Sequence, residues 1–285
     1  MGTTIAVGVD GSTPGRIALR WAMRHAEDTS AEVVVVYVVG TDLAAIASRS
    51  DEEIQADAER IVAAEAQFAQ TLAPSVPVTT LVLRGNPMRE LISVSKTVDL
   101  VVVGTHKTGF IRGRIFGSRS IVLAAGSRTP VAVIPESSGR RRHGIIVGVD
   151  DSPAGREAIH FGAIEAARTG ETLRLVSAWP QAEGDHAHTH RDNDERVASE
   201  VRDMLDREAA SVREQFPTVE VHGRVIRLPA AEALVDASAS SALVVLGNSG
   251  PLSEGQGLLG SVAHDVLLNL AGPTVVVHAA DSARG

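Results

Sequence analysis

Short apolar runs alternate with longer amphipathic segments along the whole chain. Residues 5–9 are Ile-Ala-Val-Gly-Val and end at a polar Asp-Gly-Ser, which is typical of a parallel strand buried on both faces. In residues 14–28, apolar side chains recur at the three- and four-residue spacing of an amphipathic helix. The repetition of this pair predicts strands separated by helices, and therefore a parallel sheet with right-handed crossovers.

The same pattern predicts five strands and four helices in each half of the chain. The strands are predicted at 5–9, 33–39, 78–83, 99–103 and 130–134, and again at 145–149, 172–178, 219–226, 242–246 and 274–278. The helices are predicted at 14–28, 50–72, 87–96 and 118–125, and again at 153–168, 194–215, 230–239 and 261–270. We therefore expect an α/β fold of two tandem doubly wound domains, each a five-stranded parallel sheet with helices on both faces.

The two halves also repeat one another residue by residue. The run Ile5–Arg16 returns as Ile145–Arg156 at an offset of 140, and Gly117-Ser118 returns as Gly260-Ser261 at an offset of 143. A period of this length indicates a duplicated domain. We predict domain 1 at residues 1–136, a linker at 137–143 and domain 2 at 144–285.

Composition excludes several classes of function. The chain of 285 residues has no cysteine, which excludes disulfides and thiolate chemistry. Its net charge of −8 disfavours nucleic-acid binding, because neutralising phosphates requires clustered Lys and Arg. No apolar run approaches the roughly 20 residues of a membrane helix, and the N-terminus leads directly into a strand, so a cytoplasmic protein without a membrane partner is expected.

The candidate binding loops follow the first and fourth strands of each half. In an open parallel sheet, ligands bind at the carboxyl ends of the strands where the strand order reverses. Glycines after the fourth strand let the backbone approach a ligand, and a Gly-Ser pair before a helix offers free N–H groups to a phosphate. Neither a Walker motif nor a Gly-x-Gly-x-x-Gly fingerprint follows the first strand, so any nucleotide must be held differently.

This arrangement resembles the universal stress protein family in its tandem-domain form, over essentially the whole chain. The ATP-binding branch of that family has Gly, two residues, Gly, nine residues and then Gly-Ser or Gly-Thr after the fourth strand. In the second half, Gly247, Gly250, Gly260 and Ser261 match at every position. The resemblance also implies that the fold is of the adenine-nucleotide α-hydrolase kind.

The first half departs from the pattern at one position. Gly104, Gly117 and Ser118 match, but Lys107 stands where the second Gly is expected. A side chain there can close the site by crowding the phosphates, or it can attract them through its ammonium group. Binding is expected in both halves, and the match is more complete in the second.

The resemblance implies a nucleotide contact at each matching position. An Asp would lie beside the adenine or ribose, the end of strand 2 would meet the adenine edge, and the first Gly would pass under the ribose. The loop after the fourth strand and the following helix start would face the phosphates. The implied residues are Asp10, Gly11, Val38, Gly104, His106, Lys107, Gly117, Ser118, Arg119 and Ser120 in the first half. In the second half they are Asp150, Asp151, Ala178, Gly247, Ser249, Gly250, Gly260, Ser261, Val262 and Ala263.

The implied function is that of an ATP-binding stress-response or regulatory protein. One ATP per domain, with Mg²⁺, would control the conformation or the binding of a regulatory partner, and the resemblance implies a homodimer. No nucleophile paired with a base is recognisable, so no catalytic residue is assigned, and the resemblance implies that hydrolysis is weak or absent. The alternatives are a nucleotide-independent scaffold of the same fold, a weak ATPase, or an enzyme of the related superfamily.

Several candidate residues also have a purely structural interpretation. Asp10 and Asp150 can be helix caps, since Asp often takes that position. His186, His188 and His190 have the residue type for Zn²⁺ or Ni²⁺, but we expect a solvated loop there and assign no metal. The three arginines at 140–142 are expected to be a solvated part of the linker.

Overall fold

A computed structural model of the chain describes residues 2–40, 50–105, 118–136, 142–178, 187–250 and 257–279, with only the backbone described for 118 and 187–195. The chain divides into two compact units. The first contains Met1–Glu136 and Pro251–Leu258, and the second contains Ser137–Gly250 and Leu259–Gly285.

The first unit is a parallel sheet covered by helices on both faces. Its strands are β1 (Thr4–Val9), β2 (Glu32–Val39), β3 (Val78–Arg84), β4 (Leu100–Thr105) and β5 (Val131–Pro135). Its helices are α1 (Thr13–Thr29), α2 (Asp51–Leu72), α3 (Pro87–Val94) and α4 (Ser118–Gly126). The strand order is β3-β2-β1-β4-β5 and every pairing is parallel.

The second unit repeats this architecture. Its strands are β6 (Ile145–Gly148), β7 (Leu173–Ala178), β8 (Val221–Ile226), β9 (Leu243–Asn248) and β10 (Thr274–His278). Its helices are α5 (Pro153–Thr169), α6 (Ala187–Gln215), α7 (Ala230–Ser238) and α8 (Ser261–Leu268). The order β10-β9-β6-β7-β8, again all parallel, confirms the predicted fold of two doubly wound halves.

Glycines on neighbouring strands show that the helices occupy opposite faces of each sheet. Gly8 of β1 is in register with Val103 of β4, so Gly8 and Gly104 face opposite sides of the sheet. A Cβ on Gly8 would meet Leu91 of α3, whereas a Cβ on Gly104 would overlap the backbone of Pro14 in α1. α1 and α2 contact each other, and so do α3 and α4, which completes the two layers.

The cores are built from aliphatic side chains. The largest fully buried side chains include Ile5, Leu19, Met23, Leu123 and Ile145. No Phe, Tyr or Trp side chain in the described ranges is buried, and aromatic residues make up only 3% of the sequence. Valines fill the strands because a β-branched side chain packs well on a pleated sheet that is covered on both faces.

An ion pair between the exposed Arg16 and the buried Glu65 joins α1 to α2 in the first unit. Glu65 of α2 is 2% exposed, and its carboxylate accepts a hydrogen bond of 2.9 Å from Nε of Arg16. The guanidinium groups of Arg16 and Arg20 lie 5.3 and 5.7 Å from the centre of the Phe68 ring. The hydrogen bond from Arg16 satisfies a carboxylate that would otherwise be buried without a partner.

Every predicted first or last residue of a helix or strand lies within two residues of its observed position, with one exception. α6 begins at Ala187 and not at residue 194, so His188 and His190 belong to a helix, and the predicted loop is wrong there. His186 lies outside the described residues. Once the charged segment that follows has formed a helix, extending it towards the N-terminus costs little, because propagation is easier than nucleation.

Arg142 contradicts the expectation of a solvated linker. Its two terminal nitrogens donate hydrogen bonds to the carbonyls of Ser238, at 3.2 Å, and Ala271, at 2.7 Å. Ser238 is the last residue of α7, so this cation satisfies a helix carbonyl that has no helical partner. Burial lowers the pKa of the Arg142 guanidinium. Residues 140 and 141 lie outside the described part of the chain.

Among the described residues, no helix combines the length and the apolar character that crossing a bilayer requires.

We predict that Arg142→Ala destabilises the second unit by about 1–3 kcal/mol, because two carbonyl groups lose their donor. Urea unfolding would measure the change, with Arg207→Ala as the control because Arg207 is exposed on α6. Equal free energies of unfolding for the two variants would contradict a structural role for Arg142.

Candidate functional site

The candidate site of the first unit is a cavity of about 490 Å³ at the carboxyl ends of β1 and β4. The strand order reverses between these two neighbours, so the loops that follow them diverge and leave a cleft. The apolar side chains of Val36, Val38 and Leu91 line part of the cavity. Its rim includes Asp10 after β1 and Arg119 at the start of α4.

The start of α1 forms one wall of this cavity. Ser12 caps the helix: its hydroxyl oxygen accepts a hydrogen bond of 3.3 Å from the N–H of Gly15. Oδ1 of Asp10 accepts one of 3.0 Å from the N–H of Ser12. Asp10 is therefore not the helix cap but the residue that orders the turn carrying the cap. Its side chain is exposed at the rim.

The second unit builds the same turn. Ser152 caps α5 by accepting from the N–H of Gly155 at 2.9 Å. Oδ1 of Asp150 accepts from the N–H of Ser152 at 3.2 Å and from its hydroxyl at 2.5 Å. The interpretation of both aspartates as caps is therefore wrong, and the duplicated Asp-x-Ser sequence encodes a shared turn.

The first glycine of each predicted loop is required by packing. A Cβ on Gly247 would lie 2.5 Å from the carbonyl carbon of Ala154 and 2.8 Å from the nitrogen of Gly155. Gly104 has the equivalent overlap with Pro14. Both glycines thus let the helix start approach the strand end, and their predicted position under a ribose stays a prediction.

Asn248 holds together the two ends of the loop in the second unit. It ends β9 and is only 4% exposed. Its Oδ1 accepts hydrogen bonds from the N–H of Gly250, at 3.0 Å, and of Gly260, at 3.1 Å. Its Nδ2 is buried and has no hydrogen-bond partner in the part of the chain described. The sequence pattern did not single out Asn248, because an Asn between Gly247 and Ser249 looks like an ordinary turn residue.

The start of α8 has no side-chain cap. Gly260 occupies the N-cap position, and the first hydrogen bond of the helix runs from the N–H of His264 to its carbonyl at 2.9 Å. The amides of Ser261, Val262 and Ala263 precede that bond and have no helical partner. Side chains cap α1, α2, α3 and α5, and α7 starts after a proline. The uncapped start of α8 is therefore a place where an anion can bind.

The structure brings together about half of the residues predicted for the first site. Those that line the cavity are Asp10, Val38, Gly104, Arg119 and Ser120. Gly11 lies in the adjoining turn with a φ of +76°. His106, Lys107 and Gly117 fall outside the described residues, and Ser118 is described only as the first residue of α4.

The residues predicted for the second site occupy the equivalent places. They are Asp150 and Asp151 after β6, Ala178 at the end of β7, Gly247, Ser249 and Gly250 at the end of β9, and Gly260, Ser261, Val262 and Ala263 at the start of α8. Whether these residues contact a nucleotide stays a prediction.

The sequence did not predict that the start of α3 forms another wall of the first cavity. Pro87, Met88 and Leu91, at the start of α3, line it from the other face of the sheet. The available signal was that α3 also begins at the carboxyl end of a strand, β3. Within the described ranges, no group of three or more His, Asp or Glu side chains is placed to hold a metal ion.

Comparisons with known proteins agree with the duplicated architecture. The profile of the universal stress protein family matches the chain twice, at residues 1–135 and 142–278. A universal stress protein of Mycolicibacterium smegmatis is 29% identical in an alignment of 287 positions that covers 96% of each chain. One of Mycobacterium tuberculosis is 29% identical in an alignment of 297 positions that covers 95% of this chain and 94% of the relative.

The crystal structure of a universal stress protein from Archaeoglobus fulgidus superposes with a TM-score of 0.71 at 17% identity, covering 97% of this chain and 98% of the other. This likeness concerns the fold alone. Because one family profile matches both halves in tandem, the chain belongs to the universal stress protein family.

Proposed function

We propose that each half of the chain binds an adenine nucleotide, with ATP as the ligand, and that occupancy controls the conformation or the partners of a stress-response protein. The observation that carries the proposal is the cavity at the switch point of the first sheet. Its volume of about 490 Å³ lies within the range of roughly 300–1,000 Å³ that small-molecule sites occupy.

The lining of the cavity suits the two ends of a nucleotide. Val36, Val38 and Leu91 offer apolar contact to a base. Arg119, at the start of α4, offers a guanidinium group to phosphate oxygens, which it can bind through two parallel hydrogen bonds. The exposed carboxylate of Asp10 suits a ribose hydroxyl as an acceptor.

The second half supports phosphate binding through its backbone. Because the amides of Gly250 and Gly260 donate to Asn248, they are not the groups that meet a phosphate. Among the described residues, the amides of the first turn of α8 have no helical partner or side-chain cap, and the helix dipole also favours an anion there. Asn248 fixes the loop in advance, so less conformational freedom is lost when a ligand binds.

Regulation and not catalysis is the activity we propose. Mg²⁺ would enter with the phosphates, since it is commonly bound through phosphate oxygens together with one or two carboxylates. We assign no catalytic residue and propose that hydrolysis is weak. A homodimer, a cytoplasmic location and an unidentified regulatory partner complete the proposal.

We predict that millimolar Mg-ATP raises the thermal midpoint of the protein, since a ligand at 100 times its Kd stabilises the native state by about 2.7 kcal/mol. Val38→Trp fills the first cavity and should remove the part of the rise in thermal midpoint that comes from ATP binding in the first half. Val122→Trp, at an exposed position on α4 outside the cavity, is the control and should keep it. Differential scanning calorimetry measures the midpoints, and a wild-type protein without any shift would support the scaffold alternative.

We predict that Asn248→Ala weakens nucleotide binding in the second half about tenfold and lowers the free energy of unfolding by about 1–3 kcal/mol, because two loop amides lose their acceptor. Isothermal titration in a Val38→Trp background isolates that half. Asn269→Ala is the matched control, since it removes one exposed hydrogen bond of 2.9 Å at the other end of α8. An Asn248→Ala protein that binds with unchanged affinity would exclude a positioning role.

A further inference from the structure

The candidate sites of the two halves, called the first and the second cleft below, differ in charge at one helix position. Arg119 is the second residue of α4, lines the first cavity and is exposed, and no ion-pair partner is found for it among the described residues. At the equivalent place in the second half, the second residue of α8 is Val262, which is 36% exposed. The first cleft therefore presents an available guanidinium group where the second presents an apolar side chain.

A second difference lies in the turn after the first strand of each half. Gly11 has no side chain and adopts a φ of +76°. Its equivalent is Asp151, whose side chain is 89% exposed and pairs only loosely with Arg156, at 3.5 Å. An ion pair of two exposed groups is weak and is screened by salt. The rim of the second cleft therefore carries an additional carboxylate.

The arginines that follow these turns do not cancel the difference. Arg16 is held at 2.9 Å by the buried carboxylate of Glu65, so this pair adds no net charge to the first rim. The first rim then has Asp10 balanced by Arg119. In the second half, Asp150 and Asp151 stand against Arg156. When only the groups named here are counted, the second rim is more negative by one unit charge.

We propose that the two halves select adenylates by phosphate charge: the first prefers the triphosphate, and the second accepts nucleotides with fewer phosphates. Arg119 and Val262 are the specificity-determining residues. The inference rests on the proposed function, because it presupposes that both clefts bind adenine nucleotides. Its physical basis is that a triphosphate gains more from a guanidinium group, and loses more beside a carboxylate, than a monophosphate does.

The test exchanges the two residues in proteins with one working cleft. Ala178→Trp blocks the second cleft, so that only the first can bind, and Val38→Trp blocks the first, so that only the second can bind. Isothermal titration of each variant with ATP and with AMP gives the ratio of the two affinities for the open cleft. Arg119→Val should lower the ATP-to-AMP ratio of the first cleft about tenfold, and Arg119→Lys should keep most of it. Val262→Arg should raise the ratio of the second cleft by a similar factor. If a tryptophan variant fails to fold, the same two exchanges in the otherwise unaltered chain must still move the overall ratio in opposite directions.

The outcomes separate this inference from the proposed function. Equal ATP-to-AMP ratios for the two clefts, unchanged by either exchange, would overturn the selectivity and leave nucleotide binding intact. Failure of the wild-type protein to bind either nucleotide would overturn the proposed function itself. A preference for ATP in the first cleft that 0.5 M salt leaves undiminished would also contradict the inference, because exposed charges are screened over roughly 3–8 Å at such ionic strengths.

Discussion

The close approach of a helix start to a strand end is the contact on which the rest of each half depends. Gly104 and Gly247 make it possible, because any larger side chain would overlap the backbone of the first turn of α1 or α5. The contact fixes where the helix begins relative to the sheet, and the cap, the ordered aspartate turn and one wall of the cleft all follow from that position. The first glycine of the loop pattern therefore acts in two ways. It lets the helix start pack against the strand end, which shapes the cleft, and it leaves room within the cleft.

The sequence was most informative where local chemistry and burial agree. Residues 5–9 and 145–149 are apolar runs closed by Asp and Ser, and the structure shows buried strands followed by capped helices at both places. It was least informative where long-range contacts decide. Nothing in the linker indicates that Arg142 binds two carbonyls more than ninety residues away in sequence. Asn248 is another such case, because the second amide that it binds belongs to a residue 12 positions along the chain.

The two halves resemble each other more closely in their backbone architecture than in the side chains around their candidate sites. The strand order, the Ser caps and the glycine contacts are the same in both. The side chains around the helix start differ, with Arg119 in one half and Val262 in the other. A glycine pattern that is complete in the second half therefore does not imply the stronger attraction for phosphate, since the backbone supplies only part of the interaction with an anion.

The position of Arg142 also determines where the second half can be separated from the first. By sequence pattern alone, an independent fragment would begin at residue 144, next to the first strand. Such a fragment would lack the side chain that joins the end of α7 to the segment before β10. A fragment that begins at or before residue 142 keeps that connection. Two additional residues at its N-terminus therefore decide whether the isolated half retains the hydrogen bonds from Arg142 to Ser238 and Ala271.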